Sequence, residues 1–179
     1  MKRVSHIINM VLFLCMVYQS FGQNRIKNQV EITTYIGDVR SIQINQSQFN
    51  VNLSIDNLSE LMNGQSLKKV NHIKVTSTSE YQIEVVASSE LQGRQTVIPV
   101  NTVSIVPSLG NGIGNYEGNT IYLSPVSLST NGQSIIRSTR GAITKSFDVS
   151  YRISSWLKYI EDHPSDTYST TITYSIVAN

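Results

Sequence analysis

Histidines and acidic residues are the first side chains in this sequence that could do chemistry. His163 stands in the run Glu-Asp-His-Pro at 161–164, whose carboxylates and imidazole are ligands for divalent metal ions. Consecutive residues of a proline-terminated turn rarely converge on one ion, so the run indicates a solvated turn. His72 is out of phase with Ile73 and Val75 of a predicted strand, which indicates an outward side chain. We therefore expect no metal ion and no cofactor.

A glycine-rich run, Gly-Asn-Gly-Ile-Gly at 110–114, has the composition of a phosphate-binding loop. Such a loop needs a helix N-terminus after it, and the polar residues 115–120 do not begin a helix. The Gly-x-Ser-x-Gly elbow of serine hydrolases is absent from the sequence. The carboxylates are scattered, without the pairing that a glycosidase needs. We therefore expect a surface loop at 107–119 and a protein that is not an enzyme.

Aromatic side chains are the remaining candidates for ligand contact. Trp156 with Tyr159, and Tyr116 with Tyr122, would offer flat faces to a sugar ring. Alternatively, these rings cover the open ends of a β-sandwich, where aromatic side chains bury large areas. The four residues are candidate contact residues, and a carbohydrate-binding module is one open alternative.

The first 22 residues have the features of an export signal. Lys2 and Arg3 precede an apolar stretch at 7–17, and Ser20 and Gly22 are small residues of the kind that a signal peptidase reads. The stretch is too short for a transmembrane helix, which needs about 20 residues. We therefore expect a signal peptide at 1–22 and a domain at 23–179, exported to the periplasm, the cell surface or the extracellular space, with no membrane span.

The domain that would remain at 23–179 is electrically neutral. Without Lys2 and Arg3 it has 12 basic residues against 12 acidic ones, so its charge gives no case for binding nucleic acid. The only cysteine, Cys15, lies in the predicted leader, so the domain cannot use disulfides or thiolate metal sites. It must depend on a hydrophobic core, which a chain of this length can build.

Alternation of apolar and polar residues predicts β-strands along the rest of the chain. It is clearest at the end, where Ile172, Tyr174 and Ile176 share one face and serines and threonines occupy the other. Similar alternation at 49–55, 73–77, 81–85 and 147–153 predicts further strands, with 73–77 and 81–85 forming a hairpin. Residues 58–63 break the period and predict a helical turn closed by Gly64.

These segments predict an all-β fold. About ten short strands without a long amphipathic helix favour a single Greek-key, immunoglobulin-like β-sandwich, with a barrel as the alternative. The first predicted strand holds Val30, Ile32 and Ile36, whose spacing also suits a strand donated to a neighbouring sheet by β-augmentation. An ordinary first strand of the chain's own sandwich is the alternative.

Two passages resemble the signatures of WxL cell-wall-binding domains. The motif positions are Tyr168, Ile172, Tyr174 and Ile176 near the C terminus, and Tyr81 and Ile83 upstream. Tyr174 and Ile176 stand where the family has Trp and Leu. The chain is similarly close to small secreted β-sandwich proteins of Bacteroidetes and to fimbrial subunits that end in an alternating Tyr-rich strand. The WxL resemblance implies noncovalent attachment to a bacterial cell wall.

Three functions follow as expectations. The first is a non-enzymatic module of the cell surface or periplasm that contacts a cell-envelope polymer or another surface protein. The second is a fimbrial or surface-polymer subunit that self-assembles by strand donation. The third is the carbohydrate-binding module.

Overall fold

β-Strands make up nearly all of the regular structure. The computed structural model describes residues 31–111, 118–159, 162–163 and 165–178. The chain divides into two units, 1–35 and 36–179, and every strand described belongs to the second. The strands are β1 Arg40–Ile44, β2 Gln65–Ser77, β3 Tyr81–Ala87, β4 Leu91–Gln92, β5 Val97–Ile98, β6 Val103–Leu109, β7 Ile121–Leu123, β8 Val126–Ser127, β9 Gln133–Ser138, β10 Ala142–Ile153 and β11 Ile172–Ala178. Helical structure comprises α1, Leu58–Asn63, and the 3₁₀ turns Gln46–Gln48, Val100–Thr102 and Leu157–Tyr159.

The strands form three antiparallel sheets. The larger sheet has the order β1-β2-β10-β6-β8, the smaller has the order β11-β3-β9-β7, and β4 pairs with β5 alone. One hydrophobic cluster holds Ile73 and Phe147 from the larger sheet together with Ile83 and Ile136 from the smaller one. The all-β prediction is therefore confirmed, and the two main sheets share one core.

Helix α1 confirms the helical turn predicted before Gly64. The side chain of Asn57 caps its start by accepting a hydrogen bond from Glu60 N, 3.0 Å away. Gly64 ends it at φ 77°, a conformation that favours glycine, and a Cβ there would collide with the carbonyl oxygen of Ile153. Trp156 N donates to the carbonyl of Leu61, which fastens the helix to the chain that follows β10. No helix in the described ranges is long and apolar enough to cross a bilayer.

The predicted hairpin of 73–77 with 81–85 is wrong. Both segments are strands, but β2 lies in the larger sheet and β3 in the smaller one. The connection folds on itself, since the hydroxyl of Ser77 donates to the carbonyl of Ser79 at 2.7 Å. Thr78 N donates to the carbonyl of Val39 in the segment that enters β1. These bonds hold the chain as it passes from one sheet to the other.

Two predicted strands are not strands in the structure. Residues 49–56 keep a period of two, with Val51 and Leu53 half-buried against the core and Ile55 half-buried, but no ladder pairs them with another described strand. Residues 31–39 also form no strand, and Ile32 is 83% exposed. The first strand is β1 instead, and Val30 lies outside the described residues.

Candidate functional site

A long groove, the edge groove, runs along one side of the sandwich. Its walls are residues 49–56 and 165–174, and its floor includes Val103, Leu128 and Tyr151. Its volume is about 1460 Å³, larger than the usual 300–1,000 Å³ of a small-ligand pocket. Ten wall residues span roughly 33 Å when extended, so the groove has the length of a β-strand rather than that of a compact ligand.

Both strands beside the edge groove have a free edge. β11 pairs with β3 along its whole length, and no other strand in the described part of the chain pairs with it. β1 likewise pairs with β2 alone among the described strands. Edge strands present a row of unpaired N–H and C=O groups that can pair with another chain. The groove therefore combines an apolar floor with one end of each edge strand, since Ile172, Thr173 and Tyr174 of β11 and Ile44 of β1 line it.

The two resembling passages lie side by side in this region. Ile83 of β3 is directly opposite Ile176 of β11, and Val85 is opposite Tyr174. Tyr81 and Ile83 are fully buried, so both hold the core. Tyr168 precedes β11 rather than lying in it, and its hydroxyl is 2.8 Å from that of Thr96. No family model and no curated protein matches the sequence. The family resemblance therefore stays an expectation.

A chain of hydrogen bonds crosses the floor of the edge groove. His72 Nδ1 is 3.0 Å from Gln48 Oε1, the Tyr151 hydroxyl is 2.8 Å from His72 Nε2, and the Tyr151 and Tyr174 hydroxyls are 2.7 Å apart. Since Gln48 Oε1 can only accept, the ring proton is on Nδ1 and Nε2 accepts from Tyr151. Tyr174 must then donate to Tyr151. These hydrogen bonds therefore run in one direction, and the series begins at Tyr174, whose only hydroxyl proton is engaged in the bond to Tyr151.

The burial of His72 overturns the predicted outward side chain. His72 is 2% exposed although it precedes the fully buried Ile73. A bulge explains this, because Asn71 has φ 50° and the register of β2 with β10 shifts between Phe147 and Val149. The buried carboxylate of Asp148 accepts from Asn71 N at 2.8 Å and fixes the bulge. Two successive residues of β2 therefore face inward.

Burial determines the protonation states of His72, Tyr151 and Tyr174. Desolvation lowers the pKa of His72 to about 4, and the positive charge of Lys69 adds to the effect. Desolvation also raises the pKa of Tyr151 to about 12 and raises that of Tyr174, where Tyr151 contributes further. His72 is therefore neutral, and both tyrosines keep their protons, across the whole physiological range.

The stability of the fold should consequently fall between pH 7 and pH 4. In this range the unfolded chain takes up a proton at His72, whose ordinary pKa is about 6.5, while the folded chain does not. The free energy of unfolding should fall by up to about 3 kcal/mol and then change no further through this group below pH 4. Urea denaturation at pH 7, 5.5 and 4 measures it. His72→Gln should flatten the dependence, and His163→Gln is the matched control that should keep it. If the free energy of unfolding of His72→Gln falls with pH as steeply as that of the unmodified chain, His72 is not the group responsible.

The aromatic candidates are partly brought together. The Trp156 and Tyr159 ring centroids are 5.3 Å apart, Tyr159 and His163 are 5.4 Å apart, and His163 and Tyr168 are 6.3 Å apart. Trp156 and Tyr159 are half-buried against the core. Tyr122 is 54% exposed on β7 and does not line the groove. Tyr116 lies outside the described residues.

An ion pair holds the wall of the groove that precedes β11. Asp166 accepts from both the backbone N and the Nε of Arg94, at 2.6 and 2.9 Å. These hydrogen bonds, led by the one from Arg94 N, lower the pKa of Asp166 to about 2. His163 is also tied down, with Nδ1 3.2 Å from the carbonyl oxygen of Tyr159 and Nε2 3.2 Å from that of Val97. No cluster of metal-ligating side chains occurs among the described residues.

Sequence reasoning missed the groove and the hydrogen-bonded chain in its floor. The groove draws on segments more than 100 residues apart, and no local pattern joins residues 49–56 to 165–174. The sequence did contain one indication of these hydrogen bonds, since Tyr151 and Tyr174 are large polar side chains on the inward faces of two predicted strands. A buried tyrosine hydroxyl usually has a hydrogen-bond partner. The pattern could therefore have indicated a polar contact between these strands, although not with His72.

Proposed function

We propose that the chain is an exported, non-enzymatic structural subunit of the cell surface or periplasm, whose edge groove accepts an extended segment of a second copy. The groove beside the free edge of β11 is the observation that carries this proposal. Strand addition uses backbone hydrogen bonds for affinity and pockets for alternate side chains for specificity. The edge groove offers both.

The strand orders support an immunoglobulin-like Greek-key sandwich in which none of the described strands takes the position of the last strand. In that fold, sheet order A-B-E-D faces a sheet in which strand F lies between C and G. The order β1-β2-β10-β6 fits A-B-E-D in the correct chain sequence, and the adjacent β3 and β11 fit C and F. The place of G is then the free edge of β11, where the groove lies. β9 and β7 depart from the pattern, because β9 lies next to β3 and β7 lies beyond β9, although both follow β6 in the chain.

The proposed occupant is the donor segment, residues 30–36 of another copy. Its apolar residues Val30, Ile32 and Ile36 fall on one face of an extended chain. Ile32 and Ile36 are 83% and 78% exposed, so neither contributes to the core. Residues 36–39 enter β1 at Arg40, whereas the groove begins near Ile44, at the other end of that strand. This placement favours donation between copies.

Titration with a peptide of residues 28–38 tests the proposal. Trp156 is the only tryptophan of the chain and lines the groove, so its fluorescence reports occupancy. The peptide should change the emission of the dilute, monomeric chain saturably, with a Kd in the micromolar range. The control peptide carries serine in place of Ile32 and Ile36 and should produce no change.

The same experiment, together with binding to cell-wall polymer or to sugar, distinguishes strand donation from the other expected functions. If neither peptide binds, strand donation between copies fails. Retention of the chain on purified cell-wall polymer or on a sugar column, without peptide binding, would instead favour the envelope-polymer or carbohydrate alternative.

A further inference from the structure

The structure assigns Thr34 of the incoming copy a specific role: its hydroxyl donates to Tyr174 and sets the register of the donated strand. This inference rests on the proposed strand donation. It adds the residue pair that distinguishes the correct alignment from alignments shifted by two residues.

The acceptor is fixed by the hydrogen-bonded chain of the groove floor. Gln48, His72, Tyr151 and Tyr174 form it in that order, and each link determines the donor of the next. The Tyr174 hydroxyl donates a hydrogen bond to Tyr151, so its oxygen can accept a further hydrogen bond but has no second proton to donate. Tyr174 lines the edge groove. In the inferred alignment the incoming strand lies against this hydrogen-bond acceptor, and covering the acceptor without a donor costs free energy.

The donor segment carries one matching side chain. Residues 30, 32, 34 and 36 share a face in an extended strand, and Thr34 is the only hydroxyl residue among Val30, Ile32, Thr34 and Ile36. Its hydroxyl can donate to an acceptor, which the three aliphatic side chains cannot. One polar group on the segment thus matches the acceptor at the end of the hydrogen-bonded chain.

Shifted alignments lose this match. A shift of two residues places Ile32 or Ile36 against the Tyr174 oxygen and moves the Thr34 hydroxyl elsewhere along the groove. A shift of one residue turns the opposite face inward, which holds Glu31, Thr33 and Tyr35. The hydroxyls of Thr33 and Tyr35 could still donate, but this alignment replaces the aliphatic face with a polar one and brings the Glu31 carboxylate into the apolar groove. A single polar pair in an apolar interface is a known device for fixing register.

A peptide with Thr34→Val tests the inference. Valine has nearly the shape of threonine and is more apolar, so a merely hydrophobic groove would bind the variant peptide as tightly or more tightly. Because the variant leaves the Tyr174 acceptor covered without a donor, we expect it to bind about tenfold more weakly, read from Trp156 fluorescence.

Tyr174→Phe in the chain completes the cycle. Without the acceptor, the two peptides should bind within about twofold of each other. Tyr81→Phe is the matched control, since Tyr81 is a buried tyrosine on β3 that does not line the groove, and it should preserve the tenfold difference. If Tyr174→Phe fails to fold, as judged by circular dichroism, the affinities of the two peptides for the unmodified chain still test whether the Thr34 hydroxyl contributes to binding.

The outcomes separate this inference from the proposed function. Equal or tighter binding of the Thr34→Val peptide overturns the inference and leaves strand donation standing. A tenfold difference that persists on a folded Tyr174→Phe chain overturns Tyr174 as the partner of Thr34. Failure of both peptides to bind overturns the proposed function itself.

Discussion

Removal of residues 23–35 should abolish self-association and leave the sandwich folded. Among the residues that the structure describes, every member of the hydrophobic core lies in 36–179, and residues 31–35 are exposed and form no strand. The deletion takes away most of the donor segment and none of the described core residues. Compared with the chain from residue 23, the deleted chain should keep its melting temperature within about 2 °C, which corresponds to less than about 1 kcal/mol. Light scattering after size exclusion should show multimers only for the longer chain.

The matched control keeps the length of the chain and changes only its apolar face. Ile32→Ser with Ile36→Ser should behave as the deletion does, whereas Glu31→Ser with Thr33→Ser, on the opposite face, should leave the multimers intact. A deleted chain that unfolds would show that the segment is a strand of its own sandwich. Multimers that persist in the deleted chain would place the interface elsewhere.

Period-two alternation predicted the faces of the strands well. In β11, Ile172, Tyr174 and Ile176 are half-buried and Thr173 and Ser175 are exposed, as the sequence pattern requires. Alternation records which side of an extended segment meets the core. Burial alternates along β3 and over residues 172–176, and for this reason the all-β class could be predicted from the sequence. In β10, which has a strand on each side, residues 147–151 are all buried instead.

The same pattern does not encode the partner of a strand. Residues 49–56 alternate like a strand and pack on the core, yet they pair with no described strand and form a groove wall instead. β2 and β3 follow each other closely and were predicted to pair, but they lie in different sheets. Which strands pair depends on how segments distant in the sequence come together. The local alternation of apolar and polar residues carries no information about this.

His72 shows the third limit of sequence reasoning. Its outward orientation followed correctly from a regular strand, but Asn71 at φ 50° breaks the regularity by one bulge. Asp148, 77 positions away, stabilises that bulge through the backbone N of Asn71. The inward turn of His72, and with it the hydrogen-bonded chain that reaches Tyr174, was therefore decided by a contact that the local sequence does not contain.

Replacing Phe147 by alanine should cost far more stability than the same change at Phe49. Phe147 is fully buried in β10 opposite Ile73, so its removal leaves a cavity in the shared core and should lower the free energy of unfolding by about 3–5 kcal/mol. The melting temperature should fall by roughly 6–20 °C. Phe49 is 65% exposed in the wall of the edge groove, and Phe49→Ala should lower the free energy of unfolding by less than about 1 kcal/mol.

Binding should respond to Phe49 although stability does not. The Phe49 ring lines the path of the incoming strand, so Phe49→Ala should weaken binding of the 28–38 peptide several-fold without changing the fold. Urea denaturation measures the free energy of unfolding, and the Trp156 titration measures the affinity for the peptide. A Phe49→Ala chain that is destabilised as much as Phe147→Ala would show that residues 49–56 belong to the core. One that binds the peptide normally would show that the strand lies elsewhere. Only loss of affinity with retained stability fits a wall built to receive another chain.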